Sequence, residues 1–549
     1  MTVPSEVAVV ISGAGPVGLF AALILKKLGV SVRIIDKSPT PSTQSRALVL
    51  HVRTMEVLAQ HGLLDTFKEA IHPIKSTSAF AGGAHIGTIN MSSQGVEDTC
   101  TDGLSMIPQS TTERLLINAL SDAGVTVERG VELAKLDSDE TVQDPRERAV
   151  TVTLGTGEVV KCSHLIGADG GHSAVRKLMG LKMDGAPVPG VLGMVDGRVD
   201  CSVPIDSFTR FSSREGAVLM IPFSESQCRV IVSLDDNNTK GSPDDYHVLD
   251  ESAANLLEKI LEKTRQIIAP QTIDISNPTW TVKVTCQERM VSRYDRGRVF
   301  LAGDAAHVHS PAGGQGLNLG LQDAHALAWR LVMILKHNGN PDALLPSYNE
   351  ERRKIAADIL AYSGRIHEYT FGAGLFREFL RRVSTYALTY IPFVRNRMLR
   401  ELKGLSTVYP ASSPLVRPKL PATPCSLQPG SRAPNGVVMN NTGNTTSSVP
   451  LHSFFEPAHF TLLQFVVDGK PVDMPTVTAT NNVMVLPAQA DITGQAAVKD
   501  GGSVFAAYAV SGNVVIVVRP DAYIGLVVEA AKADSQVSDY FAPLFGNGN

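Results

Sequence analysis

The chain has 549 residues, 43% of them hydrophobic and 19% charged, which is enough apolar material for two or three domains. Its formal net charge of −4 argues against nucleic acid and anionic membranes as partners and favours a small molecule. The six cysteines lie far apart, which excludes a disulfide framework, a zinc site and a dithiol redox centre. With no long apolar run and no basic N-terminal region, we expect a cytoplasmic protein without a membrane span.

The N-terminal segment reads as a strand, a tight turn, a helix and a second strand. Residues 7–11 and 32–35 are apolar runs typical of buried parallel strands, and residues 19–28 have helical apolar spacing. The turn has the pattern GxGxxG, which lets backbone approach a pyrophosphate at a helix N-terminus, and an acid ends the second strand. We therefore predict a dinucleotide site formed by Gly13, Gly15, Pro16, Val17, Gly18, Asp36 and Lys37.

Two later segments favour FAD over NAD as the dinucleotide. Residues 165–176 (LIGADGGHSAVR) read as a strand followed by Asp169 and by a helix that Ser173 caps. Residues 297–320 (GRVFLAGDAAHVHSPAGGQGLNLG) read as a strand that brings Asp304 to a loop of small residues, with a helix beginning near Gly316. A carboxylate there can accept a ribitol hydroxyl, and a helix N-terminus favours negative charge at the edge of a flavin ring.

These motifs resemble those of class A flavoprotein monooxygenases, the aromatic hydroxylases of the p-hydroxybenzoate and phenol hydroxylase group. The resemblance covers roughly residues 5–400, and a weaker one relates the C-terminal residues to the thioredoxin-like domain of phenol and polyketide hydroxylases. It implies an enzyme with FAD as cofactor, NAD(P)H as transient co-substrate and O2 as oxidant. The activity it implies is hydroxylation of a phenolic or polycyclic, polyketide-like aromatic through a flavin C4a-hydroperoxide, with no metal.

The resemblance also implies further cofactor contacts. Arg46 stands where these enzymes have an arginine near the FAD pyrophosphate, and Gln109 where they have a glutamine on the ribityl chain. The motif Glu351-Arg352-Arg353 matches one in the family's helical region. The remaining predicted contacts are Asp169, Asp304, Pro311, Gly314, Gly316, Leu317 and Asn318.

The predicted fold class is α/β, with a Rossmann-like FAD-binding domain, an inserted β-sheet substrate domain and a C-terminal thioredoxin-like α/β domain. We expect the FAD-binding domain at 1–180, with a short substrate-side insert at about 75–105, and the substrate domain at 181–285. The FAD-binding domain continues with a helical region at 286–405. The seven prolines between 409 and 434 predict a linker at 406–434, and the thioredoxin-like domain, which has no CxxC pair, follows at 435–549.

Several alternatives stay open. The same flavin chemistry could serve epoxidation, Baeyer–Villiger insertion or oxidative dearomatisation, and a non-catalytic flavin-binding interaction protein is a remote alternative. A flavin halogenase needs a WxWxIP segment, which the two tryptophans, Trp280 and Trp329, do not form. The sequence leaves open the choice between NADH and NADPH, and whether the chain forms a homodimer.

The catalytic base is not identified by the sequence. Phenol hydroxylase-like enzymes have an acid shortly before an Arg-Thr pair, whereas this chain has Leu48 before Arg53-Thr54. The base therefore comes from the substrate sheet, or the substrate ionises unaided. By residue type the candidates include His51, His85, His307 and His309, although a structural role is favoured for each.

The segment 375–403 combines six arginines with aromatic residues. A helix on a membrane surface is one interpretation of this composition. A pair of surface helices with a bend at Pro392 is the favoured one.

Overall fold

The structure, a computed structural model, describes residues 6–42, 47–91, 98–101, 103–234, 252–311, 313–421, 423–442, 445–490 and 497–546. The first elements in the chain are β1 (Glu6–Ser12), α1 (Pro16–Lys27), β2 (Val32–Asp36), β3 (Val49–Leu50), α2 (Val52–Gln60), α3 (Leu64–Lys68), β4 (His72–Ile74), β5 (Ser76–Ala81), β6 (Ala84–Asn90), β7 (Leu104–Met106), α4 (Gln109–Asp122), β8 (Glu128–Arg129), β9 (Leu133–Ser138), β10 (Val150–Leu154), β11 (Val159–Gly167) and α5 (Ala174–Leu178). They are followed by β12 (Met183–Cys201), β13 (Phe208–Ser213), β14 (Gly216–Pro222), β15 (Cys228–Leu234), α6 (Ala253–Ile268) and β16 (Ile273–Val291).

The second half of the chain is helical first and then mixed. Its first elements are β17 (Asp295–Arg296), β18 (Val299–Leu301), β19 (His307–Val308), α7 (Gln315–His337), α8 (Pro341–Phe371), α9 (Leu375–Tyr390) and α10 (Pro392–Leu402). The last are β20 (Val437–Thr442), β21 (Thr445–Pro450), β22 (Phe460–Phe465), β23 (Thr480–Leu486), β24 (Ala497–Asp500), α11 (Val504–Ala507), β25 (Val514–Val518), β26 (Ile524–Glu529) and α12 (Ala533–Phe545). Short 3-10 helices lie at Gly303–Ala305, Leu451–Phe454 and Ala530–Lys532.

The first sheet is the parallel sheet that the N-terminal pattern predicts. Its order is β17-β18-β11-β1-β2-β8, with β10 and β9 added antiparallel on β11. Strand β1 pairs in parallel with β2 and with β11, so the loops that follow these three strands meet at one edge of the sheet. The predicted α/β fold class is confirmed, with helices α1 and α7 packed together over this sheet.

The second sheet has two different buried faces. Its order is β19-β16-β12-β15-β14-β13-β5-β6, and one face packs against α6. The opposite face, here called the inner face, packs against the small sheet β3-β7-β4 and against side chains of α8 and α10. The strand residues of the inner face are Leu192, Met194, Leu219, Ile221, Ile231, Val282, Val284 and Cys286.

The third sheet, of order β21-β20-β24-β23-β22-β25-β26, forms the core of the C-terminal part of the chain. One of its faces, together with α12, packs against Trp329, Met333 and Ile334 of α7. Between Leu402 and Val437, the described residues form only isolated bridges, as the proline density predicts. This stretch is nevertheless packed into the molecule, because Tyr409 and Leu415 are buried. The domain boundaries drawn from the sequence stay a prediction.

Buried ion pairs join the C-terminal sheet to the helices of the first half. Arg519, which follows β25, donates to both carboxylate oxygens of Glu351 in α8, at 2.7 and 2.8 Å. It also donates to Asp521 at 2.8 Å, and Asp521 accepts a hydrogen bond from the Trp329 indole at 3.2 Å. Arg330 of α7 completes the pairing of Glu351. All of these groups are buried, so each charge depends on its partners for stabilisation.

In the described ranges, no helix is both long and apolar enough to span a lipid bilayer.

Replacing the buried arginine should destabilise the protein. We expect Arg519→Met to lower the free energy of unfolding by about 3–5 kcal/mol, because Glu351 and Asp521 would stay buried with too few partners. The matched control is Lys354→Met, whose partner Asp358 is exposed, and which should cost at most about 1 kcal/mol. Urea denaturation followed by tryptophan fluorescence measures both. Equal losses in the two variants would contradict the structural role of the network.

Candidate active site

Two glycines of the N-terminal turn are required by the protein's own backbone. Gly13 has a φ of 103°, and a Cβ atom on it would lie 2.3 Å from the carbonyl oxygen of Ala168. A Cβ atom on Gly18 would lie 1.9 Å from the carbonyl oxygen of Gly13. The turn therefore packs helix α1 directly against β1 and against the loop after β11.

Gly15 differs from these two, because the protein does not require a glycine there. Its backbone has φ −74° and ψ 179°, which alanine also adopts, and a Cβ atom on it would meet no described atom within 4 Å. In the described part of the chain no side chain caps helix α1, and Pro16 occupies its first turn. Packing does not explain the glycine at position 15. Its place at an uncapped helix N-terminus fits a pyrophosphate that lies close to the backbone there.

The acid at the end of β2 is held beside this turn. Asp36 accepts hydrogen bonds from the backbone N–H of Ala14 at 2.5 Å and of Ser38 at 2.7 Å. Lys37 follows on the exposed surface. Arg46 lies outside the described residues. The predicted contacts of these residues with a ribose or a pyrophosphate stay predictions.

The second acid, Asp169, lies directly after β11. Its Oδ2 accepts hydrogen bonds from the backbone N–H groups of Ala174 and Val175 at 2.8 and 3.1 Å, at the start of α5. Its Oδ1 is buried and has no hydrogen-bond partner among the described residues. As predicted, Ser173 caps this helix, accepting from the N–H of Arg176 at 2.9 Å. One carboxylate oxygen of Asp169 is therefore structural, and the other can accept a bond from a ligand.

The third acid lies on the turn that follows β18. Asp304 is exposed in the 3-10 helix Gly303–Ala305, where the Rossmann-like sheet ends. Arg176 ties this turn to the Asp169 segment, because it donates to the carbonyls of Ala305 at 3.1 Å and Gly171 at 2.7 Å. The three motifs that the sequence separates by more than 100 residues thus meet at one edge of the sheet.

A buried carboxylate holds that turn in place. Asp323 of α7 accepts hydrogen bonds from the N–H of Gly303 at 3.1 Å and from Nε2 of His307 at 2.7 Å. Its other oxygen accepts from Arg352 at 2.8 Å. The Arg352 guanidinium helps to hold the pKa of Asp323 below its usual value although the carboxyl is buried. The motif Glu351-Arg352 thus joins the turn to the C-terminal ion pairs through adjacent residues.

Val17 packs into the same region. A Cβ atom on Gly303 or on Gly320 would lie 2.9 or 2.6 Å from a methyl group of Val17. Small residues at both positions therefore let α1 approach the turn closely. Gln109 is the first residue of α4 and donates to Glu113 at 2.9 Å, and its predicted contact with the ribityl chain stays a prediction.

The loop before α7 is shaped by glycine and held by an amide. Gly314 has a φ of 63°, and its N–H donates to the carbonyl of Pro311 at 3.0 Å. Asn318 donates to the carbonyls of Val49 and Gly314 at 2.9 and 2.7 Å and accepts from the N–H of His51 at 2.8 Å. The Asn318 side chain therefore serves the shape of the loop. Contacts of Pro311, Gly314, Gly316, Leu317 and Asn318 with a cofactor stay predictions.

Two of the candidate histidines border this loop and are neutral at physiological pH. Burial lowers the pKa of His51 to about 4, and His51 Nε2 donates to the carbonyl of Gly313 at 3.1 Å. Burial also lowers the pKa of His309 to about 4, and its Nδ1 donates to the carbonyl of Ser310 at 2.8 Å. Nε2 of His309 is then an acceptor, 3.6 Å from the position of a Cβ atom on Gly316.

Of the other two candidate histidines, one is hydrogen-bonded to a buried acid and the other is exposed on a strand. His307 is bonded to Asp323, and His85 lies exposed on β6, where it contacts Thr88. Leu48 is buried. Arg53 donates to the carbonyl of Asp521 at 2.6 Å, so it faces the C-terminal sheet.

A polar cluster at the end of the inner face was not singled out from the sequence. Ser310 and His367 share a hydrogen bond of 2.7 Å between Oγ and Nδ1, and Ser310 also bonds to the thiol of Cys286. Glu288 lies two residues beyond Cys286 on the same strand, where burial raises the pKa of its carboxyl. Only the strand alternation of 282, 284, 286 and 288 could have indicated Glu288, and nothing in the sequence links it to His367.

The arrangement fits FAD. The orphaned Oδ1 of Asp169, the Gly15 backbone that packing does not need and the acid Asp36 lie on neighbouring loops at one sheet edge. These groups suit the hydroxyls and the pyrophosphate of a dinucleotide. Gly316, at the start of α7, adds a helix N-terminus that favours negative charge at a flavin ring edge.

The two glycines give a matched pair of variants. We expect Gly15→Ala to keep the fold and the urea midpoint but to lower FAD affinity at least tenfold, because the methyl group occupies the ligand side of the turn. We expect Gly18→Ala to lower the free energy of unfolding by about 3 kcal/mol, because its methyl group meets backbone. FAD titration by absorbance and urea unfolding separate the two effects. Full FAD affinity in Gly15→Ala would contradict the proposed position of the pyrophosphate.

Comparison with known proteins agrees with this geometry. Residues 6–363 match the family described as FAD binding domain. An uncharacterised aromatic compound monooxygenase of Bacillus subtilis is 32% identical over 83% of this chain and 84% of its own length. The 12-dehydrotetracycline 5-monooxygenase/anhydrotetracycline 6-monooxygenase of Streptomyces rimosus is 28% identical over 98% of both chains. The solved anhydrotetracycline hydroxylase of Streptomyces rimosus superposes with a TM-score of 0.73 at 26% identity, covering 98% of this chain and 99% of its own. The chain belongs to the FAD-binding-domain family and is an FAD-dependent monooxygenase with NAD(P)H as electron donor.

Proposed function

We propose that this monooxygenase hydroxylates a phenolic or polycyclic aromatic substrate, using O2 and NAD(P)H. The observation that carries the proposal is the apolar layer between the inner face of the second sheet and the elements that cover it, which ends in polar groups beside the loop that precedes α7. A flat apolar substrate gains most from such a surface, because burial of apolar area drives its binding.

The relatives support the same substrate class. Proteins similar to this chain over most of their length are named for anhydrotetracycline and for rifampicin. A further relative of Streptomyces rimosus is a 6-methylpretetramide 4-monooxygenase. We infer a bulky, electron-rich aromatic compound as the substrate of this chain.

When bound beside the three motifs, FAD would supply the acceptor for a hydride from NAD(P)H and the means of activating O2. One oxygen atom enters the substrate and the other leaves as water, with oxidation of NAD(P)H balancing the electrons. The chain's own tasks are to hold the ring through the loop at 311–318, to shield it from water and to bind the substrate on the inner face. Nε2 of His309, which is neutral, is buried near Gly316 without a partner among the described residues, so it can accept a hydrogen bond from a ligand there.

We propose Glu288 as the proton acceptor for a substrate hydroxyl. It follows Val284 and Cys286 along β16 on the inner face, and its Oε1 is buried without a partner among the described residues. Burial raises the pKa of its carboxyl, which strengthens it as a base. Leu48 stands where phenol hydroxylase-like enzymes have an acid, so one alternative was a base supplied by the substrate sheet. Glu288 would be that base.

The proposed function also includes a cytoplasmic location and a homodimer. The location is supported by the cysteines, all six of which are free thiols, as expected in a reducing compartment.

The reaction class can be tested with purified, FAD-loaded protein. We expect a suitable polycyclic phenol to accelerate NADPH or NADH oxidation and to gain one oxygen atom. With oxygen-18 gas, mass spectrometry should find the label in the product and not when the label is supplied in water. Ring expansion or an epoxide as the only product would replace hydroxylation by another oxygen insertion. NAD(P)H oxidation that no aromatic compound accelerates, with no labelled product, would contradict the proposal.

The role of Glu288 is tested separately. We expect Glu288→Gln to lower the rate of hydroxylation of a phenolic substrate 100-fold or more, at the low end of general-base contributions of about 10²–10⁴. Its remaining activity should rise with pH as the phenol ionises in solution, while FAD content stays normal. The control is Glu215→Gln at an exposed position. A variant with unchanged rate and pH profile would support unaided ionisation of the substrate.

A further inference from the structure

Helix α9 packs on the protein with its polar side. Arg381 is fully buried and donates to the carbonyls of Gly372, Ser213 and Tyr369, at 2.7, 3.1 and 3.2 Å. Thr385, also buried, accepts a hydrogen bond of 2.7 Å from Arg210. A surface helix ordinarily buries its apolar side and exposes its polar side. Helix α9 does the opposite, which differs from the surface helix pair expected from the sequence.

The apolar side of α9 faces away from the protein. Phe376, Phe379, Val383, Tyr386 and Tyr390 are 72, 60, 48, 50 and 72% exposed. They follow one another at intervals of three and four residues, which places them in one line along the helix. Further exposed apolar side chains flank this seam, namely Leu375, Leu380, Ile391, Phe393 and Val394.

The exposed area is large for a free surface. Aromatic side chains bury roughly 150–250 Å² each when covered, and five of the ten exposed residues are aromatic. With the aliphatic residues the patch reaches on the order of 800 Å², which exceeds the roughly 300–600 Å² of the largest patch on a typical monomer. About 800 Å² is also what one partner contributes to a stable protein–protein interface.

The charges around the seam favour a protein partner over a lipid surface. Segment 375–402 has six arginines, but four of them are engaged within the protein. Arg377 pairs with Glu368, Arg382 with Glu378, Arg400 with Asp98, and Arg381 with the backbone carbonyls. Only Arg395 and Arg397 of the six are left for lipid phosphates, and the chain as a whole carries a net charge of −4. Interfacial helices present a basic polar side to lipid headgroups, whereas the side of α9 that carries Arg381 and Thr385 is buried against the protein.

We infer that the seam of α9 binds the same seam of a second copy of this chain by a two-fold contact, which rests on the homodimer of the proposed function and names its interface. Apolar residues at alternating intervals of three and four are the pattern by which helices pair side by side. A two-fold contact uses the same surface on both copies, and a continuous apolar seam is complementary to itself. The start of α10, where Phe393 is 76% exposed, extends the contact.

The inference is tested by the mass of the FAD-loaded protein in solution. Sedimentation or light scattering at micromolar concentration should give two copies of 58.6 kDa for the wild type. The double variant Phe379→Ser, Val383→Ser should give one copy and keep its FAD, because both side chains are exposed in the single chain. The matched control is Val159→Ser, Val467→Ser, also exposed, which should stay a dimer.

A cross-link gives a second, independent measurement. Val383 lies at the middle of the seam, so in a dimer it faces its own copy, and Val383→Cys should form a disulfide between two chains on mild oxidation. Val467→Cys should not. A wild type that stays monomeric, or a dimer that the seam variant leaves intact, would overturn the inference. Flotation of the monomer with vesicles of phosphatidylglycerol, lost in the seam variant, would overturn it in favour of a lipid surface.

Discussion

The buried carboxylate of Asp323 is the contact on which the site depends. It joins the N–H of Gly303, the ring of His307 and the guanidinium of Arg352, so it sets the turn that presents Asp304. Arg352 is the chain neighbour of Glu351, which Arg519 reaches from the C-terminal sheet. Helix α8 thus carries two adjacent charges, of which Arg352 stabilises the turn at Gly303–Ala305 and Glu351 pairs with the C-terminal sheet.

This connection gives the C-terminal sheet a physical role without thiol chemistry. One face of this sheet packs on Trp329 and the C-terminal end of α7. Arg519 pairs with Glu351, a carboxylate that would be costly to bury without a partner. Helix α7 also begins at Gln315, directly after the loop that contains Pro311 and Gly314. Packing of the C-terminal part of the chain therefore stabilises the helix whose N-terminus is predicted to face the cofactor.

The two faces of the second sheet pack against different parts of the chain. One face packs against α6, whereas the inner face packs against the small sheet, α8 and α10 and ends near Glu288, Ser310 and His367. Helix α8 carries His367 at this end of the inner face and Glu351 in the buried ion pairs. The inner face and the C-terminal sheet therefore contact the same helix. Helix α9, which follows, leaves its apolar side for a contact outside the single chain.

The features that depend on local backbone geometry could be read from the amino-acid sequence. The positive φ of Gly13 and the contact of Gly18 with the Gly13 carbonyl belong to a turn of a few residues, Ser173 caps the helix that follows it, and the apolar runs define the parallel strands. Only the tertiary structure decided which side chains from distant segments meet. Asp323 meets Gly303, Glu288 joins the end of the inner face, and α9 turns its apolar side outward. The physical reason is that periodicity shows that a helix or strand has two sides, whereas packing against the rest of the chain decides what each side contacts.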